Sequence, residues 1–237
     1  MRVGWFPDVQ EGGVLFDAPR PISHVIERSS SDQKSPDHCP AVQRGRATIF
    51  VVPCAYTLAL RCVKSGSVWE LRLDRSGSEI SAEAAGRAIK LMPRREWSNP
   101  DRPIIQILAP YVFVSDDELE LAQIPAHQHY FGQRRPGILI AGNFPIRDWP
   151  RPLNFAFEWH DVEHPLILRR QEPWFYVAFS SATSEHITIE QINKTPEISS
   201  YMAHLRGVTG FTAQTFELIA RAREIRPDIL LPPRPTS

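Results

Sequence analysis

The chain has three cysteines among 237 residues, Cys39, Cys54 and Cys62, an odd set with no Cys-x-x-Cys pair. That excludes a disulfide framework and a zinc ribbon, and it fits a reducing compartment. Net charge is also lacking, since Lys+Arg and Asp+Glu each total 27. No overall field draws the chain to nucleic acid or to an anionic membrane surface. No stretch approaches the ~18 consecutive apolar residues of a spanning helix. The start, Met1 to Pro7, lacks the long apolar segment of a secretory signal. The expected location is the cytoplasm. Gly-x-Gly-x-x-Gly, Gly-Lys-Ser/Thr, His-Glu-x-x-His and Gly-x-Ser-x-Gly are absent, so nucleotide-fold enzymes, zincins and α/β-hydrolases have no support.

What is present is apolar and strand-like. The 42% hydrophobic and 10% aromatic content is enough to bury a sizeable core. The length suits one large β domain over residues 1–237. Runs rich in β-branched and aromatic residues predict strands at 48–52, 56–60, 68–73, 104–108 and 118–124. In the last of these Leu119 and Leu121 alternate with Glu118 and Glu120, the period of two that a half-buried strand shows. Further strands are expected at 138–140, 153–160, 166–168 and 174–179. Pro145, Pro150, Pro152, Pro165 and Pro173 punctuate them, and this spacing favours short antiparallel strands over βαβ units.

The expected architecture is mainly β, an antiparallel sandwich or barrel with a short C-terminal helical segment. Its core runs over residues 47–192, after a mobile polar loop at 27–46. A weak helix is predicted within 81–91, where Gly86 lowers the propensity. Thr195-Pro196-Glu197 reads as a helix start, with a hydroxyl cap, a first-turn proline and an acid at the positive end. The helices span 195–226. In the second, Leu218, Ile219, Ala222 and Ile225 fall on one face, and Arg223 and Arg226 lie in the last turn. A loose tail is expected at 227–237.

Three constellations carry candidate chemistry. His127-Gln128-His129 would project two imidazoles from one side of a strand, and with His160 or His164 from the next hairpin it would hold a divalent metal, as cupin-type oxygenases and isomerases do. The acid that a cupin motif places a few residues after its histidine pair is missing here, and a surface loop is the competing reading. His160-Asp161-Val162-Glu163-His164 also reads as a hairpin turn. The third is Arg147-Asp148-Trp149-Pro150-Arg151, which combines a stacking ring, one acid and two guanidiniums able to orient a polar ligand. Here the competing reading is that Trp149 is a core plug. The doublets Arg134-Arg135 and Arg169-Arg170 read as solvated loop charge. Cys54 reads as a buried structural thiol.

Pro110-Tyr111-Val112-Phe113, Asp148-Trp149, Phe155-Ala156-Phe157-Glu158-Trp159 and Glu172-Pro173 resemble the motifs of an uncharacterised family of bacterial and phage proteins over residues 39–180. That family has Gly-Glu-Pro where this chain has Gln171-Glu172-Pro173. The resemblance implies a compact β domain and transfers no catalytic residues. More distantly, the order Asp148-Trp149, strand, Arg170-Gln171-Glu172 turn, strand is similar to the trimeric dUTPase fold, without that enzyme's phosphate loop or glycine-rich lid. The expected function is a soluble β-rich binding or interaction module for an unknown ligand or protein partner. The alternatives are a cupin-like metal enzyme and a nucleotide-binding relative of the dUTPase fold, in which a homo-oligomer would follow by analogy.

Overall fold

The computed structural model describes residues 1–9, 16–25, 38–132, 134–182, 186–205 and 215–233. In chain order the strands are β1 (Arg2–Pro7), β2 (Arg20–Pro21), β3 (Ile49–Pro53), β4 (Leu58–Ser65), β5 (Val68–Leu73), β6 (Ile89–Leu91) and β7 (Ile104–Val114). They continue as β8 (Glu120–Ile124), β9 (Gly137–Leu139), β10 (Gly142–Pro145), β11 (Pro152–Trp159), β12 (Leu166–Leu168), β13 (Pro173–Ser180) and β14 (Thr188–Gln191). The helices are α1 (Pro40–Arg46), α2 (Ala82–Ala88), α3 (Pro196–Leu205) and α4 (Thr215–Ile225). The protein is mainly β, with a short C-terminal helical segment, and one of its sheets curls into a half-barrel.

Six strands form one sheet in the order β14-β1-β7-β11-β9, with β6 also on β7. Five form a second, β10-β8-β13-β3-β2, and three a third, β12-β4-β5. Pairing is antiparallel except between β1 and β14. The largest core cluster draws on all three sheets, with Trp5, Tyr111, Phe157, Phe175 and Leu60 among its members. β11 alternates strictly, with Leu153, Phe155, Phe157 and Trp159 turned inward, as one covered face requires. β3 is buried at every position because Phe50 and Val52 enter the main core while Ile49 and Val51 meet Ile22 and Ala126 behind it.

Several boundaries differ from those the sequence predicts. β7 runs through Pro110 instead of stopping at 108, because the ladder to β11 shifts register there, between Pro152 and Leu153, and a bulge spares the missing N–H. β1 is a buried strand inside the large sheet. Its Gly4 is required by packing, since a Cβ there would lie 2.6 Å from side-chain atoms of both Ile192 and Leu231. Residues 38–46, expected as loop, contain α1, started by Pro40 at its first position. Residues 27–37 lie outside the described residues. The expected tail at 227–237 begins as ordered structure: Leu230 and Leu231 are buried against Phe6, Val112 and Val114.

Ser81 caps α2 by accepting the Ala84 N–H at 3.1 Å, and Thr195 does the same for α3 through the Ile198 N–H at 3.2 Å. The face of α4 is rotated from the expected one. Ala222 is buried and Ile219 half-buried, but Ile225 is 53% exposed, and the residue turned inward beyond it is Arg226. Among the described residues no helix is long and apolar enough to cross a membrane.

Burial has a consequence at high pH. It pushes the Cys54 thiol up to about 12 and Cys62 to about 11, and the phenols of Tyr56, Tyr176 and Tyr201 to about 12. The folded chain therefore holds these protons more tightly than the unfolded chain, whose thiols and phenols titrate near 9 and 10. The stabilisation is fully present below about pH 9 and is lost as pH rises toward 12. The melting temperature should fall steadily above pH 9, with phenolate absorbance appearing together with unfolding. Phenolate absorbance rising well before any loss of structure would show that these rings are accessible.

Candidate functional site

The turn after β10 is built by Pro145, whose carbonyl accepts the N–H groups of Asp148 (3.1 Å) and Trp149 (2.8 Å). This aims the Asp148 carboxylate at α4. Its Oδ1 accepts from Arg147 Nη1 at 3.1 Å and its Oδ2 from Arg223 Nε at 2.5 Å, while the Tyr201 hydroxyl donates to its backbone carbonyl at 2.7 Å. Asp148 is 6% exposed, so a buried charge is met by two guanidiniums. Beside it opens a cleft of about 710 Å³, lined by Glu118, Glu120, Arg147, Asp148, Ser180 and Arg223 among others. Arg147 also gives Nε to the Asp116 carbonyl at 3.2 Å. The remaining N–H groups of both arginines have no partner among the described residues.

Arg147 and Asp148 thus line the cleft, but Trp149 and Arg151 do not. The half-buried Trp149 ring packs against the cluster formed by β1, β7 and the C-terminal segment. The Arg151 guanidinium lies 4.8 Å from its centroid and 5.9 Å from that of Phe144. Two consecutive residues, Asp148 and Trp149, face different neighbours because the turn reverses between them.

The metal geometry expected of the histidines is corrected. His127 and His129 follow the end of β8, in a turn closed by His127 N–H to Pro125 O (2.8 Å) and His129 N–H to Ala126 O (3.3 Å). Pro125 ends the strand before the pair, so the alternation that would align two imidazoles never applies. The rings go separate ways, His127 edge-on to Tyr176 at 5.6 Å and His129 to Phe131 at 4.7 Å. Burial lowers the pKa of His129, and Arg135 lowers it further against the opposing effect of Glu172. Among the described residues no group of three His, Cys, Asp or Glu side chains could hold a metal ion.

His160 and His164 do come together, around a second cleft of about 600 Å³ that Arg134, Arg135, Ile138 and Asp161 also line. The His160 and Asp161 N–H groups both donate to the Pro136 carbonyl, at 2.9 and 2.8 Å. Fully buried Trp159 gives its indole N–H to the carbonyls of Asp161 (3.0 Å) and His164 (3.3 Å), pinning the turn from below. Gly137 lets β9 lie close to β11, since a Cβ there would sit 2.0 Å from the Glu158 carbonyl.

Arg135 departs most from the sequence reading. Instead of a solvated charge it is half-buried, stacked 4.0 Å over Phe131, with Nη1 and Nη2 donating to the carbonyls of Trp174 (2.8 Å) and Pro173 (2.7 Å). Its Nε is buried with no hydrogen-bond partner among the described residues, and burial lowers its pKa. Nothing in Arg134-Arg135 as a dipeptide distinguishes the two. Arg223 was equally hidden as a ligand-site residue, since its partner Asp148 lies 75 residues away. Buried Cys54 is consistent with a structural thiol. Gln171 has φ +67°, the left-handed region that glycine adopts without a Cβ penalty. Comparison of the chain with protein families, curated proteins and solved structures finds no match.

Proposed function

We infer that this chain is a binding module whose ligand is a small dipolar molecule held in the cleft beside Asp148. The observation that carries this is the arrangement of Arg147 and Arg223 around one carboxylate. Arg147 is fixed by one N–H on Asp148 and one on the Asp116 carbonyl, and Arg223 by one on Asp148, which leaves donors of both at a cleft whose lining also includes Glu118 and Glu120. Preorganised guanidinium donors suit a carboxylate or similar anion, because the fork geometry matches two oxygens and little side-chain freedom is lost on binding. The glutamates suit a cationic group on the same ligand. A free amino acid or a whole short peptide has both.

A thermal-shift survey of amino acids, dicarboxylates and nucleotides tests this. Free amino acids or short peptides at about one hundred times their dissociation constant should stabilise by about 2.7 kcal/mol, a rise of several degrees for a chain of this size. Arg223→Ala should remove the shift, as it deletes one of the two guanidiniums at the cleft, and its side chain is 57% exposed. A shift given by nucleotides alone would instead favour the nucleotide-binding reading. No shift from any class, or one that survives Arg223→Ala, defeats the assignment.

A further inference from the structure

We propose that the second cleft, between residues 134–138 and the 160–164 turn, is an independent binding site for a small phosphomonoester. Its donors come from two chain segments. Arg134 is exposed at one rim and has no ion pair among the described residues. His160 and His164 stand at the other, each oriented by an acid: His160 Nε2 to Glu158 Oε1 at 2.9 Å, and His164 Nδ1 to Asp161 Oδ2 at 2.8 Å. A carboxylate only accepts, so these ring nitrogens carry the hydrogen. The outward nitrogen of each imidazole, His160 Nδ1 and His164 Nε2, then accepts when the ring is neutral and donates when it is protonated.

The donors come from three side chains on two chain segments, which suits an oxyanion with three acceptor oxygens better than a planar carboxylate satisfied by one fork. The charges around the two rings are Arg134 and Arg135 on the 134–138 segment, Glu158 on β11 with Arg102 at 3.6 Å, and Asp161 and Glu163 in the turn itself. Ile138, 49% exposed, and Pro136 supply an apolar wall beside the donors, so the preferred ligand carries an apolar group on its phosphate. The turn needs no rearrangement to receive it, because Trp159 and Pro136 already fix its backbone.

Phenyl phosphate and inorganic phosphate serve as probes, with the imidazole resonances of His160 and His164 followed by NMR. Phenyl phosphate should bind saturably with a dissociation constant below about 1 mM, more tightly than inorganic phosphate. Arg134→Ala with His164→Ala should weaken it at least tenfold. Both side chains are exposed, and an unchanged melting curve verifies the fold. Arg223→Ala, which empties the other cleft, should leave this binding untouched, so failure of either site is read separately. Non-saturating shifts, or equal affinity in the double variant, would overturn the proposal.

Discussion

Arg226→Ala is expected to lower the melting temperature by roughly 10 °C and to release the C-terminal segment from the large sheet. The Arg226 side chain is 1% exposed in its ion pair with Asp116. Its Nε donates to the Arg147 carbonyl at 2.7 Å, Nη1 to the carbonyls of Pro227 (2.5 Å) and Asp228 (3.2 Å), and Nη2 to Ser115 O (2.9 Å) and Asp116 Oδ1 (2.8 Å). Asp116 then accepts the N–H groups of Leu230 and Leu231. One guanidinium therefore joins the end of α4, the turn at Arg147 and the chain beyond β7.

Truncating it removes the cationic partner of Asp116 and a donor to each of the Arg147, Pro227, Asp228 and Ser115 carbonyls. Removing one partner from a buried pair costs about 3–5 kcal/mol, and at 2–4 °C per kcal/mol for a chain of this size that gives the expected shift. Arg226→Lys should recover only a small part, because one ammonium cannot reach acceptors spread around a planar fork. Limited proteolysis supplies the second readout. Cleavage at Arg221 and Arg223 should become fast in Arg226→Ala and stay slow in the parent chain. A variant with parental melting temperature and parental proteolysis would show that apolar packing of Leu230 and Leu231 alone holds the segment.

The regular strands were legible in the sequence because one local pattern decides them. β11 shows the period of two from Leu153 to Trp159, and β5 matches the predicted 68–73. Elements were lost where a distant partner decides. Arg2–Pro7 is a short apolar stretch containing a glycine, and it becomes a strand because β7 and β14 flank it. Pro110 looks like a stop and is absorbed by a bulge whose cause lies on β11. The sites divide in the same way. Arg147 and Asp148 were identifiable as a polar turn, and His160 to His164 as a charged one, but neither cleft exists without a second segment. Arg223 and Arg134 supply those segments, and no spacing in the chain connects them to the turns they serve.

Trp159 offers the sharpest separation of fold from site. Trp159→Ala removes a fully buried indole that also packs edge-on against Phe157 at 5.8 Å, and it should cost about 3–5 kcal/mol, enough to blur any reading of ligand binding. Trp159→Phe keeps most of the ring volume and deletes only the N–H that the Asp161 and His164 carbonyls share. The net loss of hydrogen bonding should be about 1–2 kcal/mol, leaving a folded chain with a lower melting temperature. The consequence at the cleft should be larger in proportion. Without the indole the turn keeps its ties to Pro136 but loses the anchor beneath His164, so the imidazole that must meet the phosphoryl group is no longer held in place. Phenyl phosphate affinity should fall about tenfold in Trp159→Phe while the response to amino acids in the other cleft is retained. An affinity unchanged by this substitution would show that the turn is fixed by Pro136 alone, and that His164 is placed by its pair with Asp161.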